Sequence, residues 1–142
     1  MTDHPYLALG KACFNRLTAT PEIWGNQVGE VIHPSWVKPY LQMYYISGGE
    51  RNQYKTQDAE FQLGFKVVAE DMEQALIGAA RISALLNDQG VQDRPDVALA
   101  GGDDWEICTA TQGRMIHLVE AFSDAQNFYH EGHVFSFVLG RN

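Results

Sequence analysis

The sequence predicts an α+β fold, with a single mostly antiparallel sheet and two main helices packed on one of its faces. Two stretches carry apolar residues at helical spacing, and several others carry the two-residue alternation of strands. Their order is helix, strands, helix, strands, which suits a sheet covered by helices and not a run of alternating βαβ units. No internal repeat and no compositional break marks a linker, so residues 1–142 are expected to form one domain.

The first helix is expected over 4–17, where Tyr6, Leu9, Cys13 and Leu17 recur at spacings of three and four, with Leu7 and Phe14 widening the stripe. Asp3 is placed to cap it and Pro5 falls in its first turn, where a missing N–H costs nothing. Residues 18–21 close it. Prolines and glycines are frequent over 23–39, so Val28, Val31 and Ile32 predict at most a short strand before Pro34 in an ordered crossing segment.

Strands follow over 40–47 and 59–69. In the first, aromatics fall on both faces; in the second, Phe61, Leu63, Phe65 and Val67 point inward while Glu60, Gln62, Gly64 and Lys66 point outward. The polar stretch 48–58 between them, too long for a tight hairpin, is expected to be a loop extending from the body. A second helix is expected over 71–88, opening with acids and stopped by Gly90. Its buried stripe would be Met72, Ala75, Leu76, Ala79, Ile82, Leu85 and Leu86. After an Asp-, Pro- and Gly-rich connection over 91–103, strands are expected over 105–111 and 114–122 around a Gln112-Gly113 turn. A last strand is expected over 130–139.

Composition is ordinary for a folded chain, with 45% apolar and 20% charged residues, and a chain of 142 residues buries roughly two thirds of its unfolded surface. The net charge of −8 and the scattering of the ten basic residues argue against a nonspecific grip on nucleic acid, which needs cations to replace phosphate counterions. An acidic wall would instead let DNA pass. Cys13 and Cys108 lie far apart among apolar neighbours and are expected to be reduced, inert thiols. No run approaches the ~20 apolar residues of a spanning helix, and the start lacks the blocks of an export signal, so a place inside the producing cell is expected.

Little in the sequence points to catalysis. His130-Glu131-Gly132-His133 has the residue types of a zinc motif, but its histidines are three apart instead of four. No third ligand is near, and His117 would be reached only through strand pairing, so a polar turn is the expected reading and no metal is assigned. Gly101-Gly102-Asp103-Asp104 resembles the glycine-acid turn of cyclic-dinucleotide synthases, without the nucleotide domain that surrounds it there. A tight loop before a strand is the expected reading. Ser47-Gly48-Gly49-Glu50 lacks the lysine of a phosphate loop, and Ser136 and Cys108 have no readable base. No cofactor is expected.

Assembly is the better expectation. Trp, Tyr and Arg favour interfaces, and Trp36, Tyr40, Tyr44, Arg51 and Tyr54 cluster in one part of the chain. The loop 48–58 holds Arg51, Tyr54 and Lys55, and Trp24 and Trp105 would cap the core or anchor a partner. Strand edges without gatekeeper prolines are a hazard that burial between subunits removes.

These residues also carry a resemblance. The N-terminal helix, Val31-Ile32-His33-Pro34 leading into Pro39-Tyr40-Leu41-Gln42-Met43, and the alternation from Phe61 to Val67 come first in it. The Ala-Leu-rich helix from Met72 to Leu86 and His133-Val134-Phe135-Ser136-Phe137-Val138 complete it. Together they resemble the tail-terminator, or tail-completion, proteins of long-tailed bacteriophages and gene-transfer particles, over nearly the whole chain. The resemblance implies a non-enzymatic virion protein made in the host cytoplasm, a homo-oligomer that forms a hexameric ring at the head-proximal end of the tail tube. Such a ring stops tube growth, meets the tail tube protein and the head connector or stopper, and lets DNA through without specific binding or membrane contact. Arg51, Tyr54, Lys55, Trp36 and Tyr44 would then be interaction residues. Residues 91–111 depart from the family by their length. The competing expectation is a small α+β enzyme or ligand-binding domain with its pocket between the second helix and the sheet.

Overall fold

The computed structural model describes residues 4–53, 56–86, 105–123 and 126–141. Its elements are helix α1 (Pro5–Thr18), strands β1 (Val28–Gly29), β2 (Tyr40–Gln53) and β3 (Thr56–Ala69), helix α2 (Met72–Leu86), and strands β4 (Trp105–Ser123) and β5 (Gln126–Arg141). The strands form one five-stranded sheet in the order β1-β2-β3-β5-β4. Only the two-residue β1 runs parallel to its neighbour, and the other three pairings are antiparallel. With two helices on one face, this is the expected α+β architecture.

The alternation in β3 sets the two faces. Phe61, Leu63, Phe65 and Val67 are all buried, and register places Phe137 opposite Phe61 and Phe135 opposite Leu63. The rings of Phe65 and Phe135 meet edge-on at 5.6 Å. Leu9, Cys13 and Leu17 of α1 and Ile82, Leu85 and Leu86 of α2 close over them. Each such side chain contributes about 1.5–3 kcal/mol through burial.

The Nδ1 of His4 accepts the Tyr6 N–H at 3.1 Å, so His4 occupies the cap position expected of Asp3, which lies outside the described residues. At the other end of α1, the Trp24 indole N–H donates to the Leu17 carbonyl at 2.9 Å, one of the carbonyls a helix end leaves without an internal acceptor role. Trp24 and Trp105 are therefore core residues, each 1% exposed. Arg16 donates to the Leu85 carbonyl and Arg81 pairs with Glu22, fastening α1 and its exit to α2. Leu7 and Phe14, expected to widen the buried stripe, are exposed instead. A helix against a sheet buries an arc of about 100°, and these two fall outside it.

Asp71 accepts the Glu73 N–H at the start of α2. Gly78 brings this helix close to the sheet, since a Cβ there would stand 2.6 Å from Val67 Cγ2. The buried set is Ala75, Gly78, Ala79, Ile82, Leu85 and Leu86, whereas Met72 and Leu76 are exposed, another narrowing of the expected stripe. Gly90 and the connection 91–103 lie outside the described residues.

Three expected breaks are absent because the strands run on through them. The stretch 48–58 is not a loop: β2 continues to Gln53 and β3 begins at Thr56, so the two form one long hairpin. A register shift between Tyr45 and Ser47 and a positive φ of 129° at Gly48 bend its arm. No Gln112-Gly113 turn exists either, because β4 passes through both residues with a bulge between Gln112 and Met115. His130-Glu131-Gly132-His133 is not a turn but the middle of β5, paired to β3 on one side and β4 on the other.

Candidate interaction surfaces

Register and ring contacts place three of the five expected interaction residues, Trp36, Tyr44 and Arg51. Trp36 lies in the segment joining β1 to β2, where its ring sits 5.8 Å from that of Tyr40 and 5.3 Å from that of His33. Tyr44 stands four residues beyond Tyr40 on β2, over Gly64, with the Lys66 ammonium 5.8 Å above its ring. Arg51 lies opposite Asp58 near the far end of the β2–β3 arm. Tyr54 and Lys55 lie outside the described residues. Trp36 and Tyr44 thus share the helix-free side of the sheet with Tyr40. Arg51 is separated from Tyr44 by seven strand residues, roughly 23 Å.

That helix-free face is aromatic and cationic. The Lys38 ammonium lies 3.8 Å from the Phe128 ring centre and 5.7 Å from that of Tyr40. Burial holds Lys66 below the ordinary lysine value, partly offset by Glu120, and raises the Tyr40 and Tyr44 hydroxyls. Glu120 also lies 3.4 Å from His130 Nε2.

The burial of His130 and His133 links folding stability to pH. Burial pushes both below the usual histidine value, helped at His130 by Lys66, and the Nδ1 of each is buried without a hydrogen-bond partner among the described residues. A histidine depressed in the folded state binds fewer protons than in the unfolded chain. Its stabilising contribution is therefore complete above the unfolded value of about 6.5 and is lost as pH falls through the folded one. The melting temperature should drop between about pH 7 and 5.5, and the His130→Gln, His133→Gln double variant should drop less over the same window. An equal loss in both proteins would assign the acid sensitivity to other groups.

On the helix side, two strips of exposed apolar residues flank the core. The first runs along α1, where Leu7 and Phe14 overhang Met43 of β2 and line an open cavity of about 610 Å³. The second is made of Met72 and Leu76 on α2 and of Met115 and Val119 on the helix side of β4, all four exposed. Met72 and Leu76 share their helix stripe with Ser83, which hydrogen-bonds Gln112 of β4, so this stripe faces β4. Periodicity had assigned four of these residues, Leu7, Phe14, Met72 and Leu76, to the core. The available signal was an apolar arc wider than one buried face accommodates.

The chemistry of the described side chains is sparse. Among the described residues, no group of three or more His, Cys, Asp or Glu side chains is gathered as a metal-ligand set. Glu131 is 1% exposed and contacts His117 Nδ1 across the β4–β5 pair. Burial pushes the Cys13 thiol far above its ordinary value, which leaves it unreactive.

No family model matches the chain, and no curated protein does. Among solved structures, a chain of the virion of a native gene transfer agent particle superposes with a TM-score of 0.69. The match covers 95% of this chain and 97% of that one at 16% sequence identity. The fold is that of a gene transfer agent virion chain. The likeness spans both chains almost completely, so the helices and the long hairpins belong to one shared architecture.

Proposed function

We propose that this chain is a structural virion protein of the tail-terminator kind. It forms a homo-oligomeric ring, a hexamer in this reading, at the head-proximal end of a tail tube, ends tube growth and joins the tail to the head connector. The end-to-end fold likeness to a virion chain carries the reading. The exposed apolar strips and strand edges support it, because such surfaces suit a protein completed by neighbours. The net charge of −8 suits a ring through which DNA passes without being held. Among the described residues no helix is long and apolar enough to cross a membrane. Function is mechanical in this account, and no residue is assigned a catalytic role.

The β2–β3 arm is the part that reaches the tube or the connector, with Arg51, Tyr54 and Lys55 as its contact residues and Trp36 and Tyr44 supporting a second contact on the helix-free face. The test is complementation of a deletion in the particle-producing cell, scored by electron microscopy. Loss of the chain should leave filled heads beside tails that are unjoined or of uncontrolled length, and normal particles without the chain would overturn the reading. In the same assay Arg51→Glu with Lys55→Glu should reduce joining at least tenfold while the purified protein keeps its melting temperature. Normal joining would remove the arm from the contact.

A further inference from the structure

The sheet has two margins, and they differ in a way that suggests how copies meet. At one margin β2 is paired outwardly only through Leu41 and Gln42, which face β1. From Met43 onward no described strand lies beyond it. At the other margin β4 is last in the sheet, and Met115–Ala121 keeps unbroken register with β5 on its inner side and has no described strand on its outer side. Each margin leaves backbone donors and acceptors pointing outward, and each carries apolar side chains on the helix side. Leu7 and Phe14 of α1 line a cavity with Met43 at the first, and the second carries exposed Met72 and Leu76 on the stripe of α2 that faces β4 and exposed Met115 and Val119 on β4 itself.

We infer that the β4–α2 margin of one copy docks against the α1–β2 margin of the next, head to tail, and that this is the repeating contact of the ring. The inference rests on the ring reading above and specifies the surface it requires. The occupant is a second copy because one chain carries both halves: two apolar strips of similar make-up, on the same side of one sheet, at its opposite edges. A contact between two different patches of the same chain is heterologous, and heterologous contacts close into rings, whereas a patch meeting its own copy stops at a dimer.

The size is adequate. Seven to eight edge residues run about 25 Å, and a sheet with side-chain layers on both faces is about 20 Å thick, which gives roughly 500 Å² per partner before the helices are counted. A standard interface needs about 800 Å² per partner, and the exposed flanks of α1 and α2 supply the remainder. The bulges of β4 between Ile107 and Thr109, Gln112 and Met115, and Ala121 and Ser123 limit its longest run of regular pairing to the segment between the last two. That restriction fixes register and discourages open-ended stacking of edges.

A mixing experiment tests the proposal. Leu7→Asp disables the first margin and Val119→Asp the second, and both positions are exposed, so each variant should melt within a few degrees of the parent. By sedimentation velocity, the unsubstituted chain should associate with rising concentration, and each variant alone should remain monomeric. Mixed in equal amounts, the two variants should give a heterodimer and nothing larger, because one intact margin remains on each. Variants that assemble like the parent would overturn the contact, as would a mixture that stays monomeric or an unsubstituted chain that is monomeric at every concentration. Those results leave the particle assay untouched, so the surface can fail while the virion role stands. If the deletion produces normal particles, the role fails whatever the sedimentation shows.

Discussion

Gly132→Ala should cost about 3 kcal/mol or more of folding stability, the upper end of what overpacking imposes. Gly132 lies in β5 between Lys66 of β3 and Ile116 of β4, at the seam that joins the two hairpins. A Cβ built there would run into the Phe65 carbonyl and the Lys66 Cα, both backbone atoms of the neighbouring strand. A side chain can rotate away from an added methyl, whereas a paired backbone has to move with its ladder. Urea unfolding gives the measurement, read as a fall in midpoint at unchanged slope. Gly10→Ala is the control: nothing lies within 4 Å of the added Cβ in α1, so the variant should gain roughly 0.5–1 kcal/mol from helix propensity. A Gly132→Ala protein with the parent's midpoint would mean that the seam is looser than its register implies.

The same glycine shows where sequence reading succeeded and where it stopped. Phe61 to Val67 announced a half-buried strand because one of its faces meets helices, and α2 announced itself through alanines that allow close approach. His130-Glu131-Gly132-His133 reads as a turn because polar residues and glycine mark turns far more often than central strands. Its glycine answers to close approach by a neighbouring backbone, a property of pairing that no local window contains. The arm 48–58 failed for the complementary reason. Its ladder is intact, but it carries Ser47, Gly48, Gly49 and Glu50 where a covered strand would alternate.

The candidate surfaces divide along the same line. Trp36 and Tyr44 could be named from residue type, as interface formers near an edge, and both fall on the helix-free face beside Tyr40. Leu7, Met72, Met115 and Val119 could not be separated from core residues without knowing how far each helix extends over the sheet. Exposure alone distinguishes them, at 50%, 40%, 64% and 43%.

His117→Ala should cost about 3 kcal/mol, because it strips the contact from a carboxylate that is 1% exposed. Register puts Leu41, Val67, Glu131 and His117 in one row across the sheet, and the row runs from the apolar core to the open margin of β4. The side chain of His117 is 53% exposed, so it brings Glu131 a donor that remains partly solvated, and the pair bridges the dry and wet parts of the row. Glu131→Gln keeps shape and hydrogen bonding and should cost less than His117→Ala. The double variant His117→Leu, Glu131→Leu removes both polar groups and should come within about 1 kcal/mol of the parent, since well-packed apolar residues often replace buried pairs without loss. Combining His117→Ala with Glu131→Gln in one protein completes a cycle with the two single variants and the parent, and its coupling energy isolates the contact. Additive losses in that cycle would mean that Glu131 is satisfied by other groups, and a doubly leucine-substituted protein worse than both single variants would mean that the polar row is needed to hold β4 against β5.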